Sequence, residues 1–316
     1  MKILVTGGAG FIGSNVVDAY VEAGHEVAVL DNLSTGKKEN LNPKAKFYQV
    51  DLTSDDLGAS IADFAPEIIN HHAAQIDVRI SVADPARDAG INVLGLLNVT
   101  EAALEAGTRR VVYVSSGGVV YGEPDLIPTP ETAPKLPLSP YGVTKLAGEH
   151  YLHYYHRVRG LEYVALRYSN VFGPRQDPHG EAGVVAIFCN RLLDGEPLTI
   201  FGDGEQTRDY VFVRDVVAAN LLVSDLHMQG EGLDAFAFNV ATGVGTSVIG
   251  LADALEQVAG RRPGRVFRPA RPGELQHSTL DTARIRARGW RPAFTLEEGL
   301  RQTYEHIAAQ RGDTPA

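Results

Sequence analysis

The chain has 316 residues, 44% of them hydrophobic and 22% charged, with a formal net charge of -10 at pH 7 and a pI near 5.5. It is long enough for one large or two ordinary globular domains, and its acidic balance argues against nonspecific binding to nucleic acid or anionic membranes. It has no apolar stretch of about 18 residues and no basic-then-apolar leader, and its one cysteine, Cys189, fits a reducing environment, so a cytoplasmic protein is expected.

The first elements of the chain predict a dinucleotide-binding turn. A β-branched run, Lys2–Thr6, leads directly into glycines spaced three and three in Gly7–Gly13, and a helical pattern follows. The next strand, Glu26–Asp31, ends on an acid. An acid within roughly 20 residues of such glycines, in this strand-turn-helix order, is the fingerprint of a dinucleotide site.

Each residue of the fingerprint has its own physical role. Gly7 allows the tight turn, Gly10 lets the backbone approach a pyrophosphate, and Gly13 lets the helix pack closely on the sheet. The helix N-terminus offers unpaired N–H groups to the phosphates. Asp31 can accept both ribose hydroxyls and would repel a 2′-phosphate, so NAD is favoured over NADP, although Lys37-Lys38 could serve such a phosphate.

Further along, short apolar strands alternate with helical patterns. The strands are predicted at Ala45–Asp51, Glu67–His71, Arg110–Ser115 and Glu162–Arg167, and the longest helical patterns run from about Asp84 to Ala106 and from Pro140 to Arg159. This alternation predicts an α/β fold of the Rossmann type, with a doubly wound parallel sheet and a smaller, mixed α/β C-terminal substrate domain. The predicted NAD-binding domain is 1–168 with roughly 209–235, and the predicted substrate-binding domain is 169–208 with 236–316.

Two residues at the start of the Pro140–Arg159 helix suggest acid–base chemistry. Tyr141 and Lys145 lie four apart and therefore on one face of the helix. The Lys145 ammonium, together with the positive nicotinamide ring of NAD, would favour the phenolate and lower the pKa of Tyr141. After a dinucleotide fingerprint and a strand ending in Ser115-Ser116, Tyr141 is predicted to take a proton from a sugar hydroxyl as hydride leaves the same carbon.

At this point the chain resembles a known family, the extended short-chain dehydrogenase/reductases and, within them, the UDP-glucose (UDP-galactose) 4-epimerases. The likeness covers almost the whole chain. It is carried by Gly7–Gly13, Asp31–Gly36, Asp51-Leu52, His72–Gln75, Tyr121-Gly122, Ser139–Lys145, Arg167–Arg175, Arg208–Tyr210 and Arg271–Glu274. These motifs are specific to nucleotide-sugar enzymes and less specific to one sugar.

The resemblance implies two sets of binding residues. The cofactor set comprises Gly7, Gly10, Phe11, Ile12, Gly13, Asp31, Asn32, Ser34, Gly36, Asp51, Leu52, Ala73, Ala74, Gln75, Asn92, Ser115, Tyr141, Lys145 and Tyr168. The UDP-sugar set comprises Ser116, Gly117, Tyr141, Asn170, Gly183, Val184, Val185, Thr199, Ile200, Phe201, Arg208, Arg271, Glu274 and Ser278. Two arginines in this set suit a diphosphate, because guanidinium forks pair with phosphate oxygens.

The sequence departs from the family pattern beside the tyrosine. The family carries Ser-Ser-Ser or Ser-Ser-Thr before its Ala-Thr-Val-Tyr-Gly segment, and its last hydroxyl assists the tyrosine. Aligned back from Tyr121-Gly122, that last position is Gly117, followed by Gly118. Either Ser116 takes over the hydrogen bond to the sugar O4, which we favour, or the step runs on Tyr141 alone.

The same place separates the reactions that this scaffold supports. Family 4,6-dehydratases carry an Asp-Glu pair there and the decarboxylases a nearby Glu, whereas this chain has Gly117-Gly118. Oxidation at C6 would need a thiol nucleophile, and Cys189 lies in an apolar helical stretch. The ten histidines show no metal-ligand spacing, so no metal is predicted. Reversible oxidation at C4 remains, as in an NAD-dependent epimerase that interconverts UDP-glucose and UDP-galactose.

The sequence leaves more than one substrate open. Ser278 stands where members limited to unmodified hexoses often carry a tyrosine, so UDP-N-acetylhexosamines would also fit. A UDP-glucuronate 4-epimerase and another nucleotide-sugar-modifying enzyme of the superfamily also stay open. So does a non-catalytic NAD-binding sensor, although sensors usually lack the tyrosine or lysine. The family also implies a homodimer built from the two long helices.

Overall fold

The computed structural model describes residues 1–177, 183–270 and 275–312. Within it the chain forms two units. Unit 1 comprises Met1–Gly122, Pro134–Tyr168 and Val217–Phe238, and unit 2 comprises Glu123–Ala133, Ser169–Val216 and Asn239–Ala316. None of the helices in the described ranges is long and apolar enough to cross a membrane.

Strands and helices alternate through the first half of the chain. They are β1 Lys2–Thr6, α1 Phe11–Glu22, β2 Glu26–Leu30, β3 Lys46–Tyr48, α2 Leu57–Phe64, β4 Ile68–His71, α3 Val78–Ala83, α4 Pro85–Ala89, α5 Gly95–Glu105, β5 Arg110–Ser116, α6 Pro140–Arg159 and β6 Glu162–Tyr168. The second half contains β7 Asn170–Phe172, α7 Val184–Asp194, β8 Leu198–Phe201, β9 Thr207–Phe212, α8 Val213–Asp225, β10 Ala237–Val240, β11 Gly245–Ser247, α9 Val248–Ala259, β12 Arg265–Arg268, β13 His277–Ser278, α10 Ala283–Arg286 and α11 Leu296–Arg311.

The main sheet has seven strands in the order β10-β6-β5-β4-β1-β2-β3. The five pairings among β1 to β6 are all parallel. Ile3, Leu4 and Val5 of β1 are all fully buried, as expected of a strand covered on both faces. The strand order reverses between β1 and β4, which is where doubly wound sheets place their ligands. The predicted α/β fold with a parallel sheet is confirmed.

Element ends differ from the sequence prediction where a strand runs out of partners. Strand β3 stops at Tyr48, three residues before the predicted Asp51, because its neighbour β2 ends at Leu30 and the register closes on the pair Leu30 and Tyr48. Strand β10, which completes the sheet beside β6, is not predicted from the sequence.

Two long helical segments lie where the sequence predicts them. The Asp84–Ala106 segment is α4, a π-helical turn over Gly90–Leu94, and α5. Helix α6 has the predicted bounds because its end signals are local. The Ser139 hydroxyl caps its N-terminus by accepting from the Gly142 N–H, and Gly160 ends it with φ of 75°.

Unit 2 contains two small sheets. Strand β9 pairs with β7, β11 and β13, and β8 pairs in parallel with β12. The register places Ser278 opposite Arg208 and Asn170 opposite Tyr210. The buried Asp209 carboxylate accepts from the backbone of Thr242 and thereby ties the segment before β11 to β9.

Candidate active site

The dinucleotide turn between β1 and α1 is built for a close backbone approach. Gly7 has φ of 68°, and a Cβ there would lie 2.6 Å from the Ala73 nitrogen. A Cβ on Gly13 would collide with the Gly7 carbonyl oxygen. Helix α1 starts after Gly10 with no side-chain cap and no acid in its first turn. Its first N–H groups are therefore available to an anion such as a pyrophosphate.

The acid after β2 is held ready for a ribose. Asp31 is 7% exposed, and its carboxylate accepts from the Ala9 N–H at 3.0 Å and the Leu33 N–H at 2.8 Å. A Cβ on Gly36 would lie within 2.9 Å of both carboxylate oxygens, so only glycine leaves them open. These features fit NAD, whose adenosine ribose presents two hydroxyl donors.

The Asp31 neighbourhood carries a second carboxylate. Asn32 Nδ2 donates to Asp51 Oδ2 at 2.6 Å, and the hydroxyl and N–H of Thr53 lower the pKa of Asp51. The Asn32 side chain also accepts from the Ser34 N–H. This acidic edge would repel a 2′-phosphate, in agreement with the expected preference for NAD.

The other predicted cofactor contacts lie beside the carboxyl ends of neighbouring strands. Phe11 and Ile12 form the first turn of α1, Leu52 follows β3, and Ala73 and Ala74 follow β4. Sheet topology thus brings together in unit 1 residues that are far apart in sequence.

Tyr141 and Lys145 lie one turn apart at the start of α6. The Lys145 ammonium is 5.8 Å from the centroid of the Tyr141 ring and 5.2 Å from that of Tyr113, and it donates to the Val114 carbonyl at 3.0 Å. The Tyr141 N–H donates to the Ser81 hydroxyl. Burial lowers the pKa of Lys145 to about 8, and the Asp88 carboxylate opposes that shift. A buried ammonium beside a phenol is the arrangement that favours proton transfer by tyrosine.

The side chains of Gln75 and Asn92 are occupied within the protein. The Asn92 amide accepts from the Gln75 N–H and donates to the Gln75 carbonyl, at 2.8 and 2.9 Å. The Gln75 amide nitrogen donates to the Asp77 carbonyl and to the Asp88 carboxylate. Both residues therefore shape the loop after β4, where the Asn92 amide also occupies the backbone of Gln75.

The two serines at the end of β5 have different surroundings. The Ser115 hydroxyl is buried and donates to Glu149 Oε1 at 2.5 Å, while Glu149 pairs with the fully buried Arg167 at 2.6 Å. The Ser116 hydroxyl forms no hydrogen bond with residues 1–177, 183–270 or 275–312. Gly117 follows β5, and its N–H donates to the Tyr168 carbonyl. Of the two hydroxyls, that of Ser116 is the one free for a ligand.

Tyr168 and two histidines complete the buried surroundings. The Tyr168 hydroxyl accepts from Asn220 Nδ2 at 2.7 Å, and burial raises its pKa. Burial also lowers the pKa of His71 and His72 to about 3, with the Lys145 charge adding to the shift. Both imidazoles are therefore neutral near pH 7.

The predicted substrate residues lie mostly in unit 2. Its four-stranded sheet holds Asn170, Arg208 and Ser278, whereas Thr199, Ile200 and Phe201 belong to β8 in the other sheet, and Gly183, Val184 and Val185 start α7. Val185 and Ile200 are buried. Arg271 and Glu274 lie outside the described residues.

Sequence reasoning missed three buried residues that surround the Tyr141–Lys145 pair. They are Asp88, Thr144 and Glu149, and all three are less than a tenth exposed. A sequence signal exists for two of them. Glu149 continues the i, i+4 spacing of Tyr141 and Lys145 on α6, and Asp88 lies four residues before Asn92.

The fold and this site define a dinucleotide-dependent enzyme with a tyrosine-lysine pair. Comparison with known proteins agrees: residues 3–241 match the model of the NAD dependent epimerase/dehydratase family. The UDP-glucose 4-epimerase of Mycolicibacterium smegmatis is 48% identical over 311 residues, covering 96% of this chain and 98% of that protein. The chain belongs to this family, on its UDP-glucose 4-epimerase branch.

Two solved structures are similar over the full length. The UDP-glucose 4-epimerase of Thermotoga maritima, solved with UDP-glucose, is 47% identical with a TM-score of 0.94 and covers 98% of this chain and 100% of its own. The UDP-glucose 4-epimerase of Thermus thermophilus, solved with NAD, is 44% identical with a TM-score of 0.91 and covers 99% of this chain and 100% of its own.

Proposed function

We propose that this protein interconverts UDP-glucose and UDP-galactose at C4, with NAD as a bound cofactor. The observation that carries the proposal is the Tyr141–Lys145 pair at the start of α6, with the lysine 3% exposed. The dinucleotide turn and Asp31 stand in the same unit. Gly117-Gly118 leaves no acid where a dehydratase or a decarboxylase of the family carries one.

The residues divide the chemistry as follows. NAD, held by the dinucleotide turn and Asp31, would supply the hydride acceptor and donor for C4. Tyr141 accepts the O4 proton during oxidation and gives it back during reduction. Lys145, held by the Val114 carbonyl, keeps a positive charge beside the phenol, and Ser116 donates a hydrogen bond to O4. The reaction has no net redox change, because the hydride removed from C4 returns to the same carbon. Its return to the opposite face of the 4-keto sugar inverts that centre.

Unit 1 is the proposed NAD-binding domain, and unit 2 carries the proposed contacts to the UDP portion. Arg208 supplies a guanidinium for the diphosphate, and Asn170 lies on β7, directly beside the strand of Arg208. Arg271 and Glu274 complete this set by their family positions. In an acidic chain, such arginines provide the local positive charge that a dianionic ligand needs.

The test is a product assay on purified protein. UDP-glucose should yield UDP-galactose, without formation of NADH in proportion to substrate consumed. Stoichiometric NADH would identify a dehydrogenase instead. Parallel reactions with UDP-N-acetylglucosamine and UDP-glucuronate compare the candidate substrates, and a preference for UDP-glucuronate would replace the proposed substrate.

The small side chain at Ser278 favours UDP-N-acetylhexosamines as additional substrates. Ser278 is partly exposed on β13, opposite Arg208 of β9. Ser278→Tyr should abolish epimerisation of UDP-N-acetylglucosamine and spare that of UDP-glucose. Equal loss on both substrates would show that the residue does not select the 2-substituent.

A cytoplasmic homodimer completes the proposal. Five exposed apolar side chains lie on the segments expected to form the dimer: Leu94, Val143, Tyr151, Tyr154 and Val158 are 56%, 52%, 42%, 49% and 63% exposed. An apolar surface of this kind favours burial against a second copy. Sedimentation equilibrium should give twice the monomer mass, and a monomer would contradict the proposed dimer.

A further inference from the structure

Asp88 of α4 is a fully buried carboxylate that receives three hydrogen bonds from neutral groups. Gln75 Nε2 and Asn92 Nδ2 donate to Oδ1 at 2.9 and 3.1 Å, and the Thr144 hydroxyl donates to Oδ2 at 2.8 Å. Thr144 directly precedes Lys145 on α6. One buried carboxylate thus joins the loop after β4, the π-helical turn and the helix that bears the tyrosine-lysine pair.

Among the residues that the structure describes, no cation contacts the Asp88 carboxylate. Within the described ranges it forms no salt bridge, although a buried carboxylate normally pairs with a positive group. The Asp88 charge raises the pKa of Lys145, the residue next to Thr144, against the effect of burial. An unneutralised buried charge acts over a longer distance than a paired one, because little water screens it.

Apart from Tyr141, the proposed proton acceptor, the other ionisable groups around Lys145 do not supply this negative charge. His71 and His72, at the end of β4, are neutral. Tyr113 of β5 is held protonated because burial raises its pKa well above the usual value. Glu149, one turn further along α6, is neutralised by Arg167 of β6.

We propose that Asp88 is a positioning residue whose negative charge keeps Lys145 protonated in the working enzyme, while its hydrogen bonds hold α6 against the loop after β4. The inference rests on the proposed function for its role in the rate. The charge effect on Lys145 can be measured without turnover.

Asp88→Asn removes the charge and can keep the bonds. Its amide oxygen can accept from Gln75 and Asn92, and its NH₂ can donate to the Thr144 oxygen. Thr144→Val is the matched control, because it removes the hydrogen bonds of this hydroxyl with Asp88, Asn92 and the Tyr141 carbonyl and retains the Asp88 charge. Asp88→Ser, with space for a water molecule on the same donors, is a second charge-free variant should the first not fold.

Two measurements on the NAD-bound protein test the charge. In Asp88→Asn the alkaline limb of the pH profile of kcat/KM should move down by about one pH unit, since an opposite charge nearby favours an ammonium by roughly one to three units. The Cε resonance of Lys145 in isotope-labelled protein, assigned by Lys145→Arg, should titrate lower by the same amount. Thr144→Val should lower the rate and leave both pKa values unchanged.

Each result bears on one claim. An unmoved lysine titration in both charge-free variants would overturn the role of Asp88, whatever the activity. A shift in Thr144→Val as large as that in Asp88→Asn would also overturn it, because the hydrogen bond would then be the cause. Absence of epimerisation by the wild-type protein would refute the proposed function alone, since the lysine titration is read independently.

Discussion

Two buried carboxylates flank α6 in different ways. Asp88 and Glu149 are both fully buried. Asp88 accepts a hydrogen bond from the Thr144 hydroxyl, and Glu149 accepts one from the Ser115 hydroxyl. Glu149 also receives a two-pronged contact from Arg167, at 3.0 Å from Nε and 2.6 Å from Nη2. Asp88 receives only neutral donors in the described structure.

The difference in partners assigns different roles. The Glu149–Arg167 pair fastens α6 to β5 and β6. The Glu149 charge helps to raise the pKa of Tyr113, but it is not among the causes that shift the pKa of Lys145. The Asp88 charge is not cancelled and acts on Lys145. Two carboxylates with the same burial can thus serve the frame of the helix or its chemistry, depending on whether a cation contacts them.

The largest expected effect tests whether the chemistry lies at this end of α6 at all. Tyr141→Phe removes the proposed proton acceptor and should lower kcat by about 10²- to 10⁴-fold, the usual contribution of a positioned acid-base group. NAD should remain bound. Steady-state kinetics with cofactor analysis give both quantities. Tyr151→Phe, on an exposed part of the same helix, is the control and should keep wild-type activity. Full activity in Tyr141→Phe would contradict the role of Tyr141 as proton acceptor, and with it the role of Asp88 in the chemistry at this end of α6.

The next largest effect is on stability and concerns Glu149, the carboxylate that fastens α6 to β5 and β6. Glu149→Gln leaves the buried Arg167 charge without its main partner, so the free energy of unfolding should fall by about 3 kcal/mol. Urea denaturation measures the loss. Because the Glu149 charge is not among the causes that shift the pKa of Lys145, the alkaline limb of the pH profile should stay in place, in contrast to Asp88→Asn. A loss below about 1 kcal/mol, the range of exposed pairs, would contradict the framing role.

The buried histidines beside Lys145 give a smaller, pH-dependent effect. The folded-state pKa of His71 is about 3, below its unfolded value near 6.5, so the unfolded chain binds the proton first as pH falls. Stability is therefore full above pH 6.5 and is lost toward pH 3. For one such group the loss between pH 7 and pH 5 is about 2 kcal/mol.

His71→Leu tests this prediction, because the variant has no group to titrate at that position. Its stability at pH 7 should be lower, since the 2.9 Å contact between His71 Nδ1 and the Thr6 hydroxyl is lost. The dependence of unfolding free energy on pH, from urea denaturation at pH 7 and pH 5, should become shallower than in the wild type. An unchanged slope would mean that His71 is charged in the folded protein.

Sequence alone predicted the parts of this region whose causes are local. The bounds of α6 follow from Ser139, Pro140 and Gly160, and the facing of Tyr141 and Lys145 follows from their spacing. The two carboxylates were missed because the partners that tie them to other elements are distant in the chain: Thr144 is 56 residues from Asp88, and Arg167 is 18 residues from Glu149. The local partner of Asp88, Asn92, is four residues away. These contacts form only when α4 and β6 pack against α6, and neither carboxylate lies in a sequence motif that identifies its distant partner.

The smallest effects distinguish the two serines at the end of β5. Ser115 belongs with the structural pair Glu149–Arg167, whereas Ser116 belongs with the proposed chemistry at Tyr141 and Lys145. Adjacent strand residues point to opposite faces, and Ser115 points at Glu149 while the Ser116 hydroxyl has no partner in the described ranges. Ser115→Ala should lower the free energy of unfolding by about 2 kcal/mol, because a hydrogen bond to a buried charge is lost.

Ser116→Ala should leave the free energy of unfolding within about 0.5 kcal/mol of the wild type and lower kcat about tenfold, the effect of one hydrogen bond made to O4. Gly117→Ser added to Ser116→Ala restores a hydroxyl at the position where the family pattern has one, and it should recover most of the rate. If Ser116→Ala keeps the wild-type kcat, the proton transfer runs on Tyr141 alone, and neither serine of β5 takes part in the reaction.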